Sequence, residues 1–316
     1  MSRPADELEF MITTESEITV EAATESLRFG GSAPVPAYRA SDGYLLHYRR
    51  WQTDLKTPRG IVVGVHGIQS HSGWYAYSCG RLAEAGYDVY FLDRRGSGLN
   101  SERRGFAIHE DRLVNDVAQF LSEVRAQQRR HSRPAPITLM GVSWGGKLAS
   151  LVGSRRPDLV DSLALLYPGL HSLIKPTRRQ RFKLRMAELK DWGRFHIPIP
   201  LNEPELFTDE PRWQEFIRQD QLALHQVTVS FMAASLRMTT ELERRAEQIQ
   251  MPLLMMQAGR DRIIDNVLTK RLFDRMASRQ KTFIEYSEAC HTLEFEPKPD
   301  QFIDDLLAWL ASVTQR

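Results

Sequence analysis

The sequence predicts an α/β fold: a mostly parallel central sheet flanked by helices, with a helical cap inserted between two strands. Three observations carry that expectation. Short apolar runs alternate with amphipathic stretches of helical length, the pattern of parallel strands buried on both faces. The stretch Ile137-Thr-Leu-Met-Gly-Val-Ser-Trp-Gly-Gly146 passes from such a run, through Gly141-x-Ser143-x-Gly145, into a helical pattern. The alternation then lapses between Gly169 and Met238 and resumes afterwards.

Taken in order, residues 1–36 read as an N-terminal extension rich in Glu, Thr, Ser and Ala, with at most a short strand at Glu17 to Val20. Asp42-Gly43 is a turn signal, and Tyr44 to Trp51 alternates as an early strand. Gly60 to Val65 is a continuous β-branched run, expected at the centre of the sheet. Ser72 to Ala85 reads as a helix closed by Gly86, and Tyr87 to Leu92 as the next strand. Leu113, Val117, Phe120, Leu121 and Val124 share one face of a helix over His109 to Gln127. Leu163 to Tyr167 is a strand stopped by Pro168-Gly169. After the cap come a strand at Pro252 to Met256, a helix at Val267 to Met276, a strand at Lys281 to Tyr286 and a terminal helix striped by Phe302, Ile303, Leu306, Leu307 and Leu310. The expected division is therefore a core of 37–168 and 239–316 with a cap of 169–238.

Composition narrows the function. The 316 residues are 42% hydrophobic and 26% charged, which suits a globular protein with a large core. A net charge of +2 points to no nucleic-acid partner. Two cysteines, Cys79 and Cys290, are too few for a disulfide framework. The N-terminus lacks a secretory pattern, and no apolar run approaches the ~20 residues that cross a bilayer. A cytoplasmic location is expected, with peripheral membrane contact left open.

The chemistry gathers at strand ends. A Gly-x-Ser-x-Gly between strand and helix sets the serine on a strained turn, and the helix aims free N–H groups at the same point. Ser143 then needs a histidine base and a carboxylate to orient it. His291 lies just after the last strand, in Ser287-Glu-Ala-Cys-His291. Asp261 and Asp265 both follow the preceding strand. Asp261 is nearer the strand end and is the expected partner, whereas Asp265 directly precedes a helix and reads as its N-cap. The backbone N–H groups of Trp144 and of Ile68, in the loop His66-Gly67-Ile68, are the expected oxyanion donors. His66 itself is expected to shape that loop rather than transfer protons, and Cys290 to be a small buried filler. No zinc-spaced ligand set is present, and Gly96-Ser-Gly98 lacks the rest of a dinucleotide fingerprint, so no metal or cofactor is expected.

With these residues placed, the chain resembles the α/β-hydrolase superfamily over roughly residues 40 to 313, and within it the monoacylglycerol lipase and lysophospholipase group, the serine aminopeptidase S33 type. The resemblance rests on Val65 to Tyr75, Asp93-Arg-Arg-Gly-Ser-Gly98 with Arg104-Gly105, Gly141 to Gly146, Gly259 to Asp265 and Cys290-His291. It implies hydrolysis of monoacylglycerols, lysophospholipids or other acyl esters under a helical cap, through an acyl-enzyme at Ser143. Ser97 stands where the group usually has histidine. The alternatives are a peptidase of the prolyl aminopeptidase kind and a catalytically silent binding protein. Between Lys175 and Lys190 the cap is strongly basic, with Arg178, Arg179 and Arg181 among its cations. That stretch is either a solvated helix face or a contact with anionic lipid.

Overall fold

Strands form where β-branched and aromatic residues run together, and the computed structural model describes residues 35–130, 132–174, 177, 182, 186 and 192–314. Most of the N-terminal extension, including Glu17 to Val20, lies outside the described residues, as do all the cations from Lys175 to Lys190. The strands are β1 (Ala37–Arg39), β2 (Leu45–Trp51), β3 (Gly60–Val65), β4 (Tyr87–Leu92), β5 (Ile137–Val142), β6 (Ser162–Leu166), β7 (His196–Pro198), β8 (Gln226–Thr228), β9 (Leu253–Ala258) and β10 (Lys281–Tyr286). Eight of them make one sheet in the order β1-β2-β4-β3-β5-β6-β9-β10. Within this sheet every pairing from β4 across to β10 is parallel, and only β2 runs against the rest, pairing antiparallel with both β1 and β4. The expected α/β-hydrolase architecture is borne out.

Register sets the working edge. Val65 pairs with Gly141, Val142 with Leu166, Leu166 with Met256 and Ala258 with Tyr286. The carboxyl ends of β3, β5, β6, β9 and β10 therefore finish nearly level, and the segments that follow them all open on one side of the sheet, where such folds hold their ligands. Every residue of β3, β4, β5, β6 and β9 is buried, which removes these strands from water on both faces.

Among the described residues the helices are α1 (Ala76–Glu84), α2 (Glu110–Gln128), α3 (Trp144–Arg155), α4 (Pro211–Gln219), α5 (Val229–Arg245), α6 (Asn266–Arg275) and α7 (Asp300–Thr314). The amphipathic face expected of α2 is the one it buries, and His109 caps its start by accepting from Asp111 N. Three local details differ from the sequence expectation. The first turn of the expected Ser72 helix is a 3-10 turn, because the His71 side chain accepts from Gly73 N and tightens it. Strand β1 precedes the early strand and pairs with it. The cap, expected to be helical, also holds the small antiparallel pair β7–β8.

The boundary expected at residue 238 falls inside α5. The reason is topological: β6 and β9 are parallel neighbours, so the chain must return to the opposite edge before β9 begins. Helix α5 makes that return while packed along α3.

Candidate active site

At the end of β5 the backbone turns sharply. Ser143 has φ 50° and ψ −124°, a conformation that costs a non-glycine residue ~1–3 kcal/mol. Its neighbours hold it there. Ser143 N donates to Leu166 O at 3.0 Å, and Ser143 O accepts from Gly146 N at 2.8 Å and Gly169 N at 2.6 Å. The flanking glycine is obligatory, since a Cβ on Gly145 would stand 2.2 Å from Val65 O.

The three residues expected to act together are brought together. His291 Nε2 lies 2.9 Å from Ser143 Oγ, and His291 Nδ1 lies 2.7 Å from Asp261 Oδ2. The other Asp261 oxygen accepts from Ile263 N at 2.8 Å and Ile264 N at 2.9 Å, which fixes the carboxylate plane. The side chains of His291 and Asp261 are each only 1% exposed. A carboxylate facing Nδ1 keeps a proton on that nitrogen and leaves Nε2 free to accept from the serine hydroxyl. Asp265 accepts from Leu268 N as the cap of α6. The rings of Tyr167 and Phe207 stand edge-on to the imidazole, at 5.1 Å and 5.9 Å between centroids.

The loop after β3 presses against Ser143. A Cβ on Gly67 would lie 3.3 Å from Ser143 Cβ and 3.6 Å from its Oγ. His66 is fully buried and holds this loop through hydrogen bonds. Its Nδ1–H donates to Gly67 O at 2.8 Å, while Nε2 accepts from Arg94 N at 2.9 Å and from Ser97 Oγ at 3.1 Å. Burial, and then the Arg94 charge, push the imidazole well below its ordinary pKa, so it is neutral. Ser97, the departure from the resembled pattern, thus supplies a donor to His66.

Arg94 was not singled out in the sequence. Its Nη2 donates to Gly67 O at 2.9 Å and Ile68 O at 2.8 Å. Its guanidinium lies over the rings of Trp144, at 4.8 Å, and Phe231, at 5.5 Å. Trp144 in turn donates from Nε1 to Ser235 Oγ at 2.9 Å. It stands in the Asp93-Arg-Arg-Gly-Ser-Gly98 stretch beside Arg95, but a buried arginine cannot be told from a surface one by type alone.

The cap clamps the same loop from above. Asp220 accepts from Trp74 Nε1 at 2.6 Å and faces His71 Nε2 at 3.1 Å, while Gln69 donates to Leu201 O at 3.1 Å. Beneath the cap a cavity of about 520 Å³ reaches Ser143, with Ile68, Leu170, Ile199, Leu201, Met232 and Ile264 among its apolar walls. Cys290 is buried, and burial followed by Asp209 raises its thiol to about 11, so it stays protonated. Among the described residues no group of three His, Cys, Asp or Glu side chains is arranged to hold a metal.

A family model described as "Serine aminopeptidase, S33" matches residues 56–298. The chain belongs to the serine aminopeptidase S33 family. It is 26% identical over 275 residues to a monoacylglycerol lipase of Mycolicibacterium smegmatis, covering 85% of this chain and 94% of that one. It is 24% identical over 257 residues to the monoglyceride lipase of Rattus norvegicus, covering 81% and 82%. A soluble variant of monoglyceride lipase from Saccharomyces cerevisiae, solved with a substrate analog, superposes with a TM-score of 0.76 at 19% identity, covering 90% of this chain and 98% of that one. That likeness concerns the fold. Among the described residues no helix is long and apolar enough to cross a membrane.

Proposed function

We propose that the protein is a serine hydrolase of acyl-lipid esters, of the monoacylglycerol or lysophospholipid type, working through an acyl-enzyme. Its membership of a hydrolase family whose relatives include named monoacylglycerol lipases makes it a carboxylic ester hydrolase. The finer reading rests on one observation, the hydrogen-bonded chain Ser143–His291–Asp261 at the floor of an apolar cavity.

In this mechanism Ser143 Oγ attacks the ester carbonyl as His291 Nε2 takes its proton. Asp261 holds the tautomer and stabilises the imidazolium. The N–H groups of Ile68 and Trp144 receive the developing oxyanion, each contributing ~3–4 kcal/mol. His291 then returns its proton to the departing alcohol, and a water activated by the same nitrogen releases the fatty acid. The carboxylates lining the cavity, Glu110 and Glu241, are taken up by Arg237 and by Arg155 and Arg245, which leaves a peptide amine without an acidic partner and favours an ester. Contact of the basic cap stretch with an anionic membrane belongs to this proposal too, and would be seen as vesicle binding that weakens with added salt.

The test is labelling with a fluorophosphonate, followed by a chain-length series of glycerol monoesters. The protein should label, Ser143→Ala should not, and medium or long acyl chains should be preferred. Labelling that survives in Ser143→Ala refutes the assignment of the nucleophile.

A further inference from the structure

One charged side chain in the cavity has no role in that mechanism. Lys147 sits one helical turn beyond Ser143 on α3, about 6 Å along the axis. The face around it is otherwise apolar or small, and Lys147 is itself only 7% exposed. It lines the same cavity as Ser143. Among the described residues its Nζ has no hydrogen-bond or ion-pair partner.

The charges nearby do not account for it. Glu110 is engaged by Arg237 at 2.6 Å, and Glu241 by Arg155 and Arg245, each at 2.8 Å. His171, also on the cavity wall, pairs with Glu243 at 2.8 Å. Arg244 adds a further cation at the cavity's exposed rim. The carboxylates are thus matched by arginines, and the lysine is left over. Burying an ammonium without a partner costs several kcal/mol, and a cavity wall is where a ligand can offset that cost.

We propose that Lys147 is the centre of an anion subsite that takes the head-group phosphate of a lysophospholipid while its ester carbonyl lies at Ser143. This rests on the hydrolase reading and sharpens it: the phosphate-bearing monoester, rather than the neutral monoacylglycerol, is the preferred substrate. The apolar walls at Ile199, Leu201 and Ile264 suit the acyl chain, and the ammonium suits the phosphate. Desolvation lowers the Lys147 ammonium to about 8, and an anion beside it restores the lost stabilisation of the charged form.

The experiment compares octanoyl lysophosphatidate with monooctanoylglycerol, both as soluble monomers, on the full chain. The quantity read is the ratio of kcat/KM for the two, which general damage to the fold leaves alone because it scales both substrates alike. The wild type should favour the phosphate ester, and Lys147→Met should lower the ratio roughly 10- to 100-fold, the loss expected for a charge-assisted hydrogen bond. Lys147→Arg, which keeps the charge, should retain most of it and covers the case in which the methionine variant fails to fold. A ratio unchanged in Lys147→Met, or a wild type that favours the neutral ester, overturns the subsite. Inorganic phosphate competing with a short neutral ester, without any preference between the two lipids, would show a site for the free anion and overturn the head-group assignment. Absence of all ester hydrolysis and of fluorophosphonate labelling would instead refute the hydrolase reading beneath it.

Discussion

Replacing Arg94 by methionine separates catalysis from stability in this fold. The Gly67 carbonyl and the Ile68 N–H belong to one planar peptide and point in opposite directions. By holding Gly67 O at 2.9 Å, Arg94 therefore aims the Ile68 N–H, the proposed oxyanion donor. Loss of a whole donor costs ~10²–10³ in kcat. His66 Nδ1 still grips the same carbonyl at 2.8 Å, so the expected loss in Arg94→Met is smaller, on the order of 10- to 100-fold in kcat. Stability should barely move. Burial holds the guanidinium at about 9, so its charged form is destabilised by roughly 5 kcal/mol relative to water. Two hydrogen bonds to a charged group return ~3–6 kcal/mol together. Methionine removes both terms and keeps an apolar filler between Trp144 and Phe231. The assay is kcat on a soluble monoester beside thermal unfolding. A normal kcat in a folded Arg94→Met protein would refute the argument that this arginine aims the peptide.

Three further outcomes are expected. Asp261→Asn should lose on the order of 10⁴-fold in ester turnover while Asp265→Asn, whose amide oxygen can still cap α6, keeps kcat and most of its stability, read by steady-state kinetics and melting of the two proteins. Burial raises the Glu294 carboxyl to about 7, so its contribution to stability is lost as pH rises from about 4.5 to about 7. Glu294→Gln keeps an acceptor for Ser78 N and should be more stable than the wild type above pH 7, by up to roughly 3 kcal/mol, with the difference vanishing near pH 4 in denaturant titrations. Asp220→Ala strands the buried Trp74 Nε1 and His71, and should cost about 3 kcal/mol by the same titration.

Much of this architecture was legible because one residue pattern encoded it locally. Gly60–Val65, Tyr87–Leu92 and Lys281–Tyr286 are strands to the residue, since each is bounded by turn signals and filled with β-formers. The spacing of Ser143, Asp261 and His291 was readable from strand order alone, because each follows the carboxyl end of its own strand. Distances were not readable. His71 and Asp220 meet across 149 positions, and nothing local in either segment marks them as partners. Lys147 was visible as a lysine inside Trp144-Gly-Gly-Lys-Leu-Ala-Ser-Leu-Val, but that it is buried depends on α5 lying over α3. Strand β1 was missed because three residues are too few to show a period.

Helix α5 belongs to two structures at once. It roofs the cavity through Met232 and Leu236, and it is also the crossover by which the chain regains the sheet between β6 and β9. An exchange of caps between relatives that cut at residue 238 would sever this crossover in mid-helix and unfold the host. Joints placed at Gly169 and at Thr228, the N-cap of α5, would leave the sheet its own return path. Substrate preference can then diversify in the segment before Thr228 without renegotiating how the sheet is wound, whereas changes along α5 must satisfy ligand and fold together.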